Sequence, residues 1–166
     1  MIQYQSTRGS KNIKTAAQAV IQGIAEDKGL YVPDQIPALP KKIEELVGRP
    51  YKEVAFEIIG AFFTDYTKEE LVTCVENAYA NAFSKKEITP VKKVDDVYVL
   101  ELFHGPTCAF KDVALTLLPQ LMSCALKTTN QKALILTATS GDTGKAALSG
   151  FCDVENIGIN VFYPYK

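Results

Sequence analysis

HGPTCAFKD (His104 to Asp112), KALILTA (Lys132 to Ala138) and TSGDTGKAA (Thr139 to Ala147) form the stretch that decides the fold of this chain. A glycine-proline turn ends at a lysine where helical periodicity begins. An apolar run then leads straight into a second glycine-bearing turn, which opens another helix. A strand, a Gly-rich turn and a helix start, in that order, present backbone N–H groups to an anion. Two such turns in succession, one of them holding a lysine, point to a site for an anionic small molecule.

Lys111 lies between apolar neighbours, Ala109 and Phe110 before it, Val113 and Ala114 after it. Burial and the positive end of a helix both penalise an ammonium, so the neutral, nucleophilic amine becomes accessible near neutral pH. That is the requirement of a Schiff-base lysine, whether toward pyridoxal phosphate or toward a carbonyl substrate. The plainer alternative is a lysine that snorkels to solvent at a helix start with Asp112 as its charge partner. In the second turn, Ser140, Thr143 and the amides around Gly141 and Gly144 can donate to a carboxylate or phosphate. Asp142 suits a hydroxyl or cationic group of a ligand, or a cap on the following helix. A glycine turn needed only for its backbone conformation stays open as well. The nucleotide P-loop pattern fails, because Thr139 occupies its first glycine position and Ala146 its magnesium-binding Ser/Thr position.

A length of 166 residues sets the chain at one medium domain or two small ones. Charged residues make up 22% of it and the net charge is -1, which leaves no electrostatic footprint for nucleic acid or an anionic membrane. No apolar run reaches membrane-spanning length, and MIQYQSTRGS is no signal peptide. Cys74, Cys108, Cys124 and Cys152 lack C-x-x-C spacing, and with a single histidine they form no zinc pattern, so no metal is expected. They read as small apolar residues of a reducing, cytoplasmic setting.

Along the chain, a short strand over residues 2–5 precedes the turn STRG. Ser6, Thr7 and Arg8 there face two readings, a phosphate contact or a turn tied by hydrogen bonds. Ala16, Ala19, Val20 and Ile24 mark one face of a helix from Thr15, ended by Gly23, and LYVP reads as a strand. A helix from Pro50 to Phe63 should turn Val54, Ala55, Ile58, Ile59, Phe62 and Phe63 inward. The next opens with the capping box Thr67/Glu70 and carries the stripe Leu71, Val72, Val75, Ala78, Tyr79, Ala82 and Phe83. Residues 1–90 are therefore expected to form a small, mainly helical unit, with KKEITPVKKVDD as the boundary. Residues 91–166 read as α/β. VYVLEL is a strand, Lys111 to Lys127 a helix kinked at Pro119, KALILTA a fully buried strand, Thr143 to Gly150 a helix and IGINVFY another strand. Strands alternating with helices predict a parallel sheet, with ligands beyond the carboxyl ends of its strands.

LELFHGPTCAFKD and TATSGDTGKAALSGF, together with YQSTRG (Tyr4 to Gly9) and GIAEDKGLYVP (Gly23 to Pro33), resemble threonine synthase. That family uses pyridoxal 5'-phosphate (PLP) and has the tryptophan-synthase-β fold, fold type II. The resemblance runs from the first residue to about Tyr163-Pro164 and implies a start of the PLP-binding domain in residues 91–166. It also implies that Lys111 holds the cofactor, with Phe110 and Asp142 beside it. Thr139, Ser140, Gly141, Asp142 and Thr143 would then hold the substrate carboxylate. The implied reaction turns O-phosphohomoserine and water into threonine and phosphate. His104 lies in the matching motif, as a lone loop histidine that is more often structural than catalytic. Lys28 stands where the family usually has glycine, and Cys108 where it has leucine. The family's cofactor-phosphate loop and its pyridine-nitrogen partner come after the last residue of this sequence. The resemblance therefore implies a truncated, inactive piece whose open sheet edge favours self-association. A phospho-lyase on the same cofactor, a cofactor-free Schiff-base enzyme and a non-catalytic anion-binding module are the competing readings.

Overall fold

The structure is a computed structural model and describes residues 1–165. Strand β1 (Tyr4–Ser6) pairs antiparallel with β2 (Tyr31–Pro33), and helix α1 (Ala16–Gln22) lies between them in sequence. Thr15 caps α1 by accepting from the Gln18 amide, Gln18 caps back, and Gly23 at φ 72° ends it. The turn after β1 is a tied one. Asp27 accepts from Ser6 Oγ at 2.6 Å and from the amides of Ser10 and Gly29 at 2.9 Å each. These donors, the Ser6 hydroxyl first, hold the Asp27 carboxyl below its ordinary range. A carboxylate at its centre makes this turn a poor phosphate cradle. Lys28 adopts φ 66°, the left-handed conformation that explains why the resembling family places glycine there.

Helix α2 (Ile43–Leu46) is a single turn, followed by α3 (Tyr51–Phe62) with Pro50 just ahead of it and α4 (Lys68–Tyr79). The Thr67/Glu70 box forms as expected, Thr67 N donating to Glu70 Oε2 at 2.7 Å and Glu70 N to Thr67 Oγ1 at 3.2 Å. Val75, Ala78, Tyr79 and Ile88 make one core cluster, against which Tyr51, Ala55 and Ile59 of α3 pack. Leu71, Cys74 and Leu121 make a second, flanked by Phe56, Phe63 and Tyr66. Two expected core positions face water instead: Ile58 is 39% exposed and Val72 46%. Phe56 and Cys74 take the inward places, because the contact between α3 and α4 is rotated relative to the stripes drawn from each helix alone. Helix α4 also stops at Tyr79, so Ala82 and Phe83 lie beyond it, although Phe83 still packs on the first cluster.

VYVLEL does not enter the parallel sheet. Its strand, β4 (Val97–Leu100), pairs antiparallel with β3 (Val91–Val94), drawn from the charged segment expected to be a linker. Asp95 at φ 51° makes the tight reversal. Pairing across so short a loop costs little chain entropy, so the local hairpin wins over a distant partner. Both of its strands are exposed along their length.

The helix expected over Lys111 to Lys127 is two helices, α5 (Asp112–Leu115) and α6 (Leu118–Thr129). Pro119 does not kink an interior. It sits in the first turn of α6, where its missing N–H is no loss. Strand β5 (Ala133–Ala138), helix α7 (Asp142–Phe151) and strand β6 (Ile157–Phe162) form a parallel pair linked through a helix, in register Ala133↔Ile157 to Ala138↔Phe162. This is the one parallel sheet among the described residues, so the α/β class holds with a smaller sheet than expected. Met122 and Leu126 of α6 and Ala147 and Phe151 of α7 cover one face, with Ile135, Ile157 and Ile159 beneath them. The other face is bare, Leu134 being 59% and Leu136 63% exposed, so β5 alternates where full burial was expected.

Helix α6 is the hub: α1, α4, α5 and α7 all pack on it. Leu126 is 0% exposed in that contact. Leu126→Ala is expected to cost about 2–5 kcal/mol in urea unfolding, whereas Val72→Ala at the surface stays within about 0.5 kcal/mol.

Candidate active site

The turn before Lys111 is organised by Asp112. Its side chain, 1% exposed, accepts from Thr107 N at 2.8 Å and from Thr107 Oγ1 at 2.6 Å. It is therefore not the charge partner of Lys111 that the sequence allows. Gly105 is required by the same arrangement, since a Cβ there would overlap the Asp112 side chain. Tyr79 of α4 donates to the Val113 carbonyl at 2.8 Å, and Thr116 Oγ1 to the Asp112 carbonyl at 2.9 Å. His104 is pinned from two sides, Nε2 lying 2.7 Å from Glu101 Oε2 and Nδ1 3.3 Å from Ser84 Oγ. Its carbonyl accepts from Ser84 N at 2.9 Å. This is the structural reading of the histidine.

Lys111 is half-buried, and its Nζ stands 4.6 Å from the centroid of the Phe110 ring. Phe110 itself is 61% exposed. The helix that follows, α5, is a single turn, too short to carry the summed dipole that a continuous helix would have aimed at the amine. Among the described residues Lys111 makes no ion pair.

Thr139, Ser140 and Gly141 form the turn after β5. Thr139 N donates to the Phe162 carbonyl at 3.1 Å, and Thr139 Oγ1 accepts from Gly141 N at 3.3 Å. Ser140, Gly141 and Asp142 are exposed and Thr143 is half-buried. Gly141 is the N-cap of α7 and Asp142 its first residue, without a side-chain capping bond. Of the roles open to Asp142, the cap is thus excluded. The Asp142 and Thr143 N–H groups that lead α7 have no acceptor within the helix, as at any helix start, while Gly144 N donates to the Gly141 carbonyl at 3.1 Å. Gly144 admits no side chain, because a Cβ would overlap Thr139 Cγ2 and approach Val161 Cγ1 to 3.0 Å.

Two contacts bring the turns together. Lys145, in the first turns of α7, donates from Nζ to the Thr107 carbonyl at 3.3 Å. Gly150, farther along α7, lies flush against the Leu115 carbonyl of α5, so closely that a Cβ would overlap it. The turn that carries Lys111 is therefore fastened along α7, the helix that Gly141 caps. Thr107 and Lys145 are the residues that reading the sequence passed over, and Asp112 was read only as a charge partner of Lys111. Asp112 had a signal, an acid beside the lysine, but its partner five residues back could be known only once the turn had closed.

An apolar cleft of about 640 Å³ opens on the helix-covered face of β5, between α1, α6 and α7, lined by Val20, Tyr31, Leu115, Met122, Ile135 and Phe151. Thr137 and Thr143 border it, and Lys111 does not. Among the described residues no group of three or more His, Cys, Asp or Glu is placed to hold a metal ion. No helix there is long and apolar enough to cross a membrane, and all four cysteines are free.

Residues 3–79 match a family model described as "Threonine synthase N terminus". A threonine synthase of Pseudomonas aeruginosa is 36% identical over 168 residues, a match covering 99% of this chain and 36% of the relative. One of Schizosaccharomyces pombe is 36% identical over 175 residues, covering 98% of this chain and 34% of the relative. The crystal structure of PLP-bound threonine synthase from Brucella melitensis superposes with a TM-score of 0.91 at 36% identity, over 99% of this chain and 36% of that one. The chain thus spans about a third of the length of these relatives, and the matches cover 98–99% of it.

Gly105→Ala and Gly144→Ala both force a methyl group into occupied space, and each is expected to lower stability by about 1–3 kcal/mol. Gly141→Ala, where an added Cβ meets nothing within 4 Å, is the control. Thermal unfolding of the three variants checks the order.

Proposed function

The chain belongs to the threonine synthase family through its N-terminal portion, and we propose that it supplies the lysine and the substrate-carboxylate loop of a PLP-dependent lyase. In this reading Lys111 holds PLP, with Phe110 and Asp142 beside it. Thr139, Ser140, Gly141, Asp142 and Thr143 receive the carboxylate of O-phospho-L-homoserine. The reaction adds water and releases phosphate to give L-threonine. One observation carries the proposal: the turn bearing Lys111 is fastened to the helix that the 139–143 loop opens, through Lys145 and Thr107 and through the α5–α7 contact.

The residues present fit the cofactor. An amine that no carboxylate among the described residues pairs with, half out of water, is carried by a turn tied to the helix that opens from a loop whose hydroxyls and amides suit an anion. When bound, PLP supplies an electron sink for negative charge that develops on substrate carbon. The protein does the rest. Lys111 Nζ takes and returns protons at the α, β and γ carbons. Ser140 Oγ, Thr143 Oγ1 and the leading amides of α7 fix the carboxylate, so that the bonds to be broken stay aligned. Residues 1–90 are read as the helical N-terminal unit and 91–166 as the first part of the catalytic domain. Four unpaired thiols suit a cytoplasmic enzyme.

Incubation with PLP followed by borohydride is expected to leave a pyridoxyl group on Lys111 in preference to the other lysines, read by peptide mapping. Equal labelling of surface lysines overturns the proposal.

The bare face of β5–β6, with Leu134, Leu136 and Phe162 each 59–63% exposed, also favours self-association of this chain. Sedimentation is expected to show concentration-dependent oligomers that Leu136→Lys abolishes. A wild-type chain that stays monomeric at high concentration removes this part of the proposal.

A further inference from the structure

We infer that Asp112 is a positioning residue for Lys111, acting through Thr107; this rests on the reading of Lys111 as the cofactor-bearing amine. The two residues share a peptide bond, so whatever fixes Asp112 fixes the backbone from which the lysine side chain starts. Both carboxylate oxygens are engaged, one by Thr107 N at 2.8 Å and the other by Thr107 Oγ1 at 2.6 Å, at 1% exposure. Such short bonds to an ionised acceptor are the strong kind, and in a site shut off from water they leave the turn one arrangement.

Stability by itself gives little reason for this choice of residue. A buried charge and its partners can often be exchanged for apolar groups of similar volume without loss of stability. What the carboxylate adds is a geometry, and the surroundings are built to that geometry. Gly105 gives up its side chain to make room for Asp112. Tyr79 of α4 holds the Val113 carbonyl from one side at 2.8 Å. Lys145 of α7 holds the Thr107 carbonyl from the other at 3.3 Å, so the residue that grips Asp112 is itself tied to the helix opened by the 139–143 loop. The chain of contacts Lys145, Thr107, Asp112 sets where Lys111 begins relative to that loop. An amine moved by as little as about 1 Å loses much of its advantage over surface lysines.

The test compares the wild-type chain with Asp112→Asn, Thr107→Val and Thr107→Ser. Each is treated with PLP and borohydride at a temperature where circular dichroism shows it folded, and the share of pyridoxyl on Lys111 is read by peptide mapping. The share is expected to fall about tenfold in Asp112→Asn and Thr107→Val. Thr107→Ser, which keeps the hydroxyl and the amide, should label as wild type does. Folded Asp112→Asn and Thr107→Val chains that label Lys111 as well as wild type overturn the positioning role and leave the proposed function standing. If the wild-type chain shows no preference for Lys111, the proposed function fails and this inference with it. If neither variant folds at any temperature, Asp112 is a folding residue and the assignment is overturned.

Discussion

A carboxylate taken out of water has to be met by donors, and the pairing of Asp112 with Thr107 is where this chain meets that demand. The rest of the site follows from it. The reversal at Gly105 is as tight as it is because the side chain of Asp112 occupies the space a Cβ would need. Helix α5 starts at Asp112 and ends after one turn, and the chain then re-enters a helix at Leu118. Lys111 is left at the junction, half-buried over the ring of Phe110, with no carboxylate among the described residues drawing it elsewhere.

The scaffold that holds this turn is helix α6 and what packs on it. Leu121 reaches into the cluster of α3 and α4, while Met122 and Leu126 reach into that of α7 and the parallel strands. Tyr66 and Tyr79 reinforce the first contact with hydroxyl bonds to the carbonyls of Leu121 and Val113, and burial pushes both phenols well above their ordinary pKa. The N-terminal helices thereby steady the turn that bears the lysine. Conversely, one face of β5–β6 and most of the β3–β4 hairpin have nothing over them among the described residues.

Much of this was readable from single residues. The Thr67/Glu70 box, the end of α1 at Gly23 and the strand–turn–helix at Thr139 to Gly144 each depend on a few neighbours and appear where their chemistry places them. The errors have one character. VYVLEL has the composition of a sheet strand but not the information about which partner it takes. KALILTA has the composition of a buried strand, yet Leu134 and Leu136 point to a face that no helix covers. Ile58 and Val72 lie on the stripe of their own helices and off the contact between them. In each case the missing quantity was a neighbour distant in sequence.

The sequence by itself determined α1, α4, β5, α7 and β6 in their order, the end of α1, the cap of α4, the two glycine turns and the family likeness, since these rest on spacing within a turn or two of backbone. Only the tertiary structure decided that Asp112 serves Thr107 rather than Lys111, that Lys145 ties one turn to the other, and that a single pair of strands among the described residues runs parallel. A hydrogen bond to a buried carboxylate, or a close approach at Gly150, exists only after segments far apart in the chain have packed, and local propensity carries no record of it.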